Sequence, residues 1–87
     1  MRFNFGSSDL VKCLYSLGFT PLKQNSTSHQ KFRPPGEKQK NIPGQYSFIM
    51  VQLGQKEFDP HARTRYIRQI MRFGYTEKEV IKGFNRK

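Results

Sequence analysis

Residues 28–33 read SHQKFR, and the alternation within these six residues decides the fold. Successive side chains of a β-strand point to opposite faces. Ser28, Gln30 and Phe32 therefore share one face, and His29, Lys31 and Arg33 share the other. Phe32 is the natural core anchor, which turns the histidine and the two cations outward. Upstream, NST (25–27) is a turn by composition, and FTPLKQ (19–24) reads as a short strand placed at an edge by Pro21. Downstream, PPGEKQKNIPG (34–44) is a loop on its prolines and glycines. QYSFIMVQLG (45–54) is apolar nearly throughout and is predicted to be the most buried strand. Three strands in succession predict an antiparallel meander.

Helical patterns flank these strands. In SSDLVKCLYSLGF (7–19), Leu10, Cys13, Leu14 and Leu17 fall at helical spacing. Ser7 or Ser8 serves as the predicted N-cap, and Gly18 as a left-handed stop. Cys13 lies inside the apolar stripe, as a small buried hydrophobe rather than a reactive thiol. A second helix is predicted from Asp59, a good N-cap followed by Pro60, to Gly74. Ile67, Ile70 and Met71 gather on its inner side, flanked by Tyr66 and Phe73; Arg65, Arg68, Arg72 and His61 gather opposite. Arg63 falls toward the apolar side, where nothing in the pattern explains it. YTEKEVIKGF (75–84) opens with Thr76 and Glu79 as a capping box, predicting a short third helix with Val80, Ile81 and Phe84 inward. The expected class is α+β: a helix, a three-stranded antiparallel sheet, a helix and a short C-terminal helix, with the helices on one face of the sheet. Residues 1–6 are read as an N-terminal arm and 7–87 as a single domain, since 87 residues leave little room for a second core.

Composition narrows the partners. Sixteen basic residues against six acidic give a formal charge of +10, which calls for a polyanion. Nucleic acid fits best, because no stretch reads as a membrane-surface helix and no apolar run approaches a membrane span. The segment MRFNFGSSDL has no apolar stretch of the kind a secretory signal carries. The single Cys13 excludes an intramolecular disulfide and a cysteine-based zinc site. The expected setting is cytoplasmic.

The triplet His29, Lys31 and Arg33 is the leading candidate for chemistry. Histidine is the side chain whose ordinary pKa lies near neutrality. RNA cleavage needs a base to take the 2′-hydroxyl proton and cations to stabilise charge on the phosphorus oxygens. A solvated histidine on an edge strand is the competing reading of the same residue. The six acids, Asp9, Glu37, Glu57, Asp59, Glu77 and Glu79, are scattered, whereas a magnesium nuclease needs clustered carboxylates. Activity, if present, is thus expected to need no metal and no cofactor. The face formed by Arg65, Arg68 and Arg72 is a second candidate, suited to tracking phosphates and free of acids. A helix-turn-helix around Gly74 ranks below both, since its reading helix would open with Glu77 and Glu79.

Two segments carry a family resemblance. SSDLVKCLYSLGFTPLKQ (7–24) followed by TSHQKFR (27–33) resembles the first helix, first strand and Gly-Ser-His-x-x-Phe/hydrophobic-Arg motif of the HicA family of toxins, from bacterial and phage toxin–antitoxin pairs. KEFDPHARTRYIRQIMRFG (56–74) is similar to that family's stretch after the third strand and its second helix. The resemblance covers roughly residues 7–74. It implies a fold like the double-stranded RNA-binding domain, α-β-β-β-α. It also implies endoribonuclease activity on mRNA, the activity of an mRNA interferase, with His29 catalytic as general acid or base and a HicB-type antitoxin as protein partner. Lys31 and Arg33 would stabilise the transition state. Lys23, Ser28, Lys56, Arg65, Arg68 and Arg72 would hold the RNA. The chain departs from the family at Thr27, where the motif has glycine, at Leu53 and Gly54, where the family has His-Pro-Gly, and in its long loop at 34–44. An RNA-binding module without catalysis is the alternative reading of the same pattern.

Overall fold

Helix α1 (Ser7–Ser16) forms where the leucine spacing predicts it, in a computed structural model that describes residues 4–23, 28–38 and 47–85. Leu10, Cys13 and Leu14 are fully buried, and Gly18 ends the helix at φ +91°. The start of α1 differs from expectation. Gly6 is the N-cap, and its amide donates to the Asp9 carboxylate at 3.0 Å. Ser7 instead leaves the helix end: its hydroxyl donates to the Gln52 carbonyl at 2.6 Å and accepts from the Gln55 amide at 3.0 Å. The chain passes so close there that a Cβ on residue 6 would stand 2.5 Å from the Gln55 carbonyl, so only glycine fits. Phe5, within the segment read as an arm, is a core residue whose ring meets Phe58 and Phe84.

Strands β1 (Thr20–Pro21), β2 (His29–Arg33) and β3 (Ile49–Gln52) pair antiparallel in the order β1-β2-β3, the expected meander. Pro21 does occupy an edge strand, although β1 is shorter than the predicted segment. A single 3-10 turn, Gly36–Lys38, follows β2. Thr27 and most of the loop at 34–44 lie outside the described residues. The register sets Phe32 against Ile49, Lys31 against Met50 and His29 against Gln52. β3 is the most buried of the three strands, as predicted, but on one face alone. Ile49 and Val51 are buried, whereas Met50 and Gln52 are exposed, because the helices cover only one face.

β3 is also a sheet edge, and its end is closed by side chains. The Gln52 amide donates to the Tyr66 hydroxyl at 3.1 Å, while the Gln52 carbonyl accepts from Ser7. Each such bond contributes roughly 0.5–1.5 kcal/mol, and leaving either backbone group unpaired would cost more.

Helix α2 (Pro60–Arg72) starts as predicted: the Asp59 carboxylate accepts from the Ala62 amide at 2.8 Å, with Pro60 in the first turn. Tyr66, Ile67, Ile70 and Phe73 are buried, but Met71 is 37% exposed rather than part of the inner stripe. Arg63 finds its role here, since its guanidinium donates to the Phe58 carbonyl at 2.8 Å. Helix α3 (Glu77–Asn85) carries the expected reciprocal capping box between Thr76 and Glu79. It crosses α1 at Gly83, where a Cβ would lie 3.0 Å from the Cys13 sulfur.

Inward residues of all three helices and both longer strands form one core: Phe32, Ile49 and Val51 meet Leu10, Leu14, Ile67, Ile70 and Val80. Each fully buried aliphatic or aromatic side chain contributes about 1.5–3 kcal/mol. Cys13 belongs to this core, its thiol directed at the Val80 carbonyl. Burial pushes that thiol up to about 12, so it stays protonated and inert at neutral pH.

Two helix starts make stability acid-sensitive. The backbone bond from Ala62 holds Asp59 below its ordinary 3.8, and the bond from Thr76 holds Glu79 below its ordinary 4.5. A carboxyl with a depressed folded value adds stability that is complete above its unfolded value and lost as pH falls through the folded one. Urea midpoints measured from pH 6 downward are expected to stay level to about pH 5 and then fall. In the Asp59→Asn, Glu79→Gln double variant, that decline should be shallower.

Candidate nucleic-acid interface

The open face of the sheet carries the predicted triplet. His29 and Arg33 are exposed and Lys31 is half-buried, while Phe32 faces the core. The Ser28 hydroxyl lies 3.0 Å from Nδ1 of His29 and engages that nitrogen, leaving Nε2 as the other ring nitrogen. The histidine is therefore oriented by its immediate neighbour in the chain.

Beside this face runs α2, and a cleft of about 780 Å³ opens between them. Its floor is the sheet: His29 of β2, with Phe48, Met50 and Gln52 at alternate positions of β3 and its approach. Its wall is a single stripe of α2 made by His61, Thr64, Arg65, Arg68, Gln69 and Arg72, spaced at three, four and seven residues. The Tyr66 hydroxyl, bonded to the Gln52 amide, is the joint between floor and wall. The Arg65 guanidinium lies over the Tyr66 ring, 5.3 Å from its centroid, and is held there by cation–π attraction.

The cleft gathers some of the predicted residues and not others. His29, Arg65, Arg68 and Arg72 line it together. Lys31 borders it, its ammonium 4.9 Å from the centroid of the Phe48 ring. Ser28 acts through His29. Lys23, Arg33 and Lys56 are exposed but are not among the lining residues, so the structure does not join them to the cleft. Phe48, Met50, Gln52 and His61 are additions to the predicted set. For the first three, nothing in an apolar strand marks which of its faces lacks a covering helix. His61 is legible on the arginine stripe, but only the folded chain brings it into one cleft with His29.

No lining residue is acidic, and the wall presents three guanidiniums, so the cleft concentrates positive potential on a partly apolar floor. Among the described residues, no three His, Cys, Asp or Glu side chains gather to hold a metal ion. Comparison with protein-family models, with curated proteins and with solved structures finds no match. The chemistry of the site must therefore be read from its own residues. Guanidiniums along one wall suit a row of phosphates. The exposed Met50 and the half-buried Phe48 ring on the floor suit the faces of unpaired bases. Elsewhere among the described residues, no helix is long and apolar enough to cross a membrane.

If the wall tracks phosphates, its arginines set the salt dependence of binding. Replacing Arg65, Arg68 and Arg72 with Ala is expected to lower the slope of log affinity against log salt by about 0.7 per lost contact, about 2 in all, on single-stranded RNA. Arg33→Ala and Lys56→Ala should change it less. Fluorescence anisotropy across a salt series measures both.

Proposed function

We propose that the chain is the toxin of a toxin–antitoxin pair, an endoribonuclease that cleaves mRNA with His29 and needs no metal. The observation that carries this reading is the cleft itself. It joins the histidine of the Ser-His-x-x-Phe-Arg segment to three arginines on a second element, with no carboxylate among the lining residues. The helix, three strands and helix in this order fit a platform like the double-stranded RNA-binding domain, to which His29 adds a cutting group.

In this mechanism Nε2 of His29 exchanges a proton with the reacting ribose while Nδ1 shares a hydrogen bond with the Ser28 hydroxyl, which orients the ring. The arginines of α2 hold the phosphate and offset the charge that grows on its non-bridging oxygens. Lys31, beside the Phe48 ring, adds to that field. The protein partner in this reading is a HicB-type antitoxin, whose acidic groups would neutralise the arginine wall and cover His29.

A second reading follows from the floor. Phe48 and Met50 with the arginine wall are sufficient to bind single-stranded RNA even if His29 takes no part in bond breaking. One comparison separates the two. In His29→Ala, RNA cleavage is expected to fall about 100- to 10,000-fold while RNA affinity and melting temperature are retained, and growth arrest on expression is lost. Equal cleavage by both proteins would remove His29 from the chemistry. Binding without cleavage by the wild type would establish the RNA-binding module instead.

A further inference from the structure

We propose that His61 is the second proton-transfer group of this site, the general acid that protonates the leaving 5′-oxygen; this rests on the ribonuclease reading above. In phosphoryl transfer the attacking and leaving oxygens lie roughly in line, on opposite sides of phosphorus. A base and an acid must therefore reach the phosphate from different sides. The fold places the two histidines on different elements of one cleft: His29 stands on the sheet floor and His61 on the first turn of the helix wall, at the head of the arginine stripe.

These are the chain's only two histidines, and both line the same cleft. The other lining groups are poor substitutes. Arginine does not give up its proton. Tyr66 is buried at the joint between sheet and helix, its hydroxyl oxygen accepting from the Gln52 amide. The charged groups near His61 are Asp59, whose carboxylate is occupied as the cap of α2, and Arg65 one turn further along. With His29 taking the 2′-hydroxyl proton, donation falls to His61, the other histidine of the cleft.

The step balances without a co-reactant. The 2′-hydroxyl proton passes to Nε2 of His29 as the 2′-oxygen bonds to phosphorus. The bond from phosphorus to the 5′-oxygen breaks, and that oxygen takes a proton from His61. The products are a 2′,3′-cyclic phosphate and a free 5′-hydroxyl.

The test compares a short RNA with the same RNA carrying sulfur in place of the scissile 5′-oxygen, since a thiolate leaves without needing a proton. His61→Ala, and His61→Gln as a second variant at this exposed position, are expected to cleave the oxygen substrate about 100- to 10,000-fold more slowly than wild type. Both should cleave the sulfur substrate at near the wild-type rate, whereas His29→Ala is slow on both. Wild-type rates in the His61 variants on the oxygen substrate would overturn the assignment. So would equal losses on the two substrates at an unchanged melting temperature. In either case a dead His29→Ala leaves the ribonuclease reading standing. A wild-type protein that cleaves neither substrate overturns that reading and this one with it.

Discussion

The backbone of Gln52 joins the sheet to the helices around it. At the end of an edge strand its amide and carbonyl face away from β2, where an unpaired group would be costly or would invite another chain. Tyr66 takes the amide from one side and Ser7 takes the carbonyl from the other. The first bond locks α2 beside the sheet, and the second locks the start of α1 beneath it. Because Gln52 is also the register partner of His29, the same residue fixes how far the histidine stands from the arginine stripe. The cleft follows from this one joint: an open sheet face, a helix held along its edge, and a gap between them lined by what each element turns outward.

Two sets of cations differ in what they touch. Arg63 donates to the Phe58 carbonyl, and Lys38 donates to the Gly74 carbonyl and lies over the Tyr75 ring, so both serve the fold. Arg65, Arg68 and Arg72 instead face the cleft. A protein of formal charge +10 incurs self-repulsion, and aligning three guanidiniums along one wall adds to it locally. An anionic ligand seated there would relieve that repulsion, which links the net charge of the sequence to one place on its surface.

Much of this was legible from the residues. The helix stops at Gly18 and Gly74, the caps at Asp59 and Thr76, and the alternation around Phe32 are local signals, and each fixes its element through a bond or a backbone angle. What escaped was tertiary. Ser7 looked like a helix cap because nothing in the sequence announces that the chain at Gln52 and Gln55 returns to claim its hydroxyl. The exposure of Met50 escaped because an apolar residue in an apolar strand carries no mark of which face lacks a covering helix. Arg63 looked misplaced until the Phe58 carbonyl stood beside it. The site was half legible for the same reason: the triplet and the stripe each have a period, but their juxtaposition depends on the Tyr66 bond between distant residues.

The direct test of the cleft as the RNA site is an NMR titration of the amide signals with a 2′-O-methyl oligonucleotide, which binds but offers no 2′-hydroxyl to react. Shifts are expected at His29, Met50 and Gln52 and along the His61–Arg72 stripe, in step with one another as ligand is added. Shifts confined to the exposed lysines of α1 and α3, Lys12, Lys78 and Lys82, with His29 and the stripe unmoved, would contradict it.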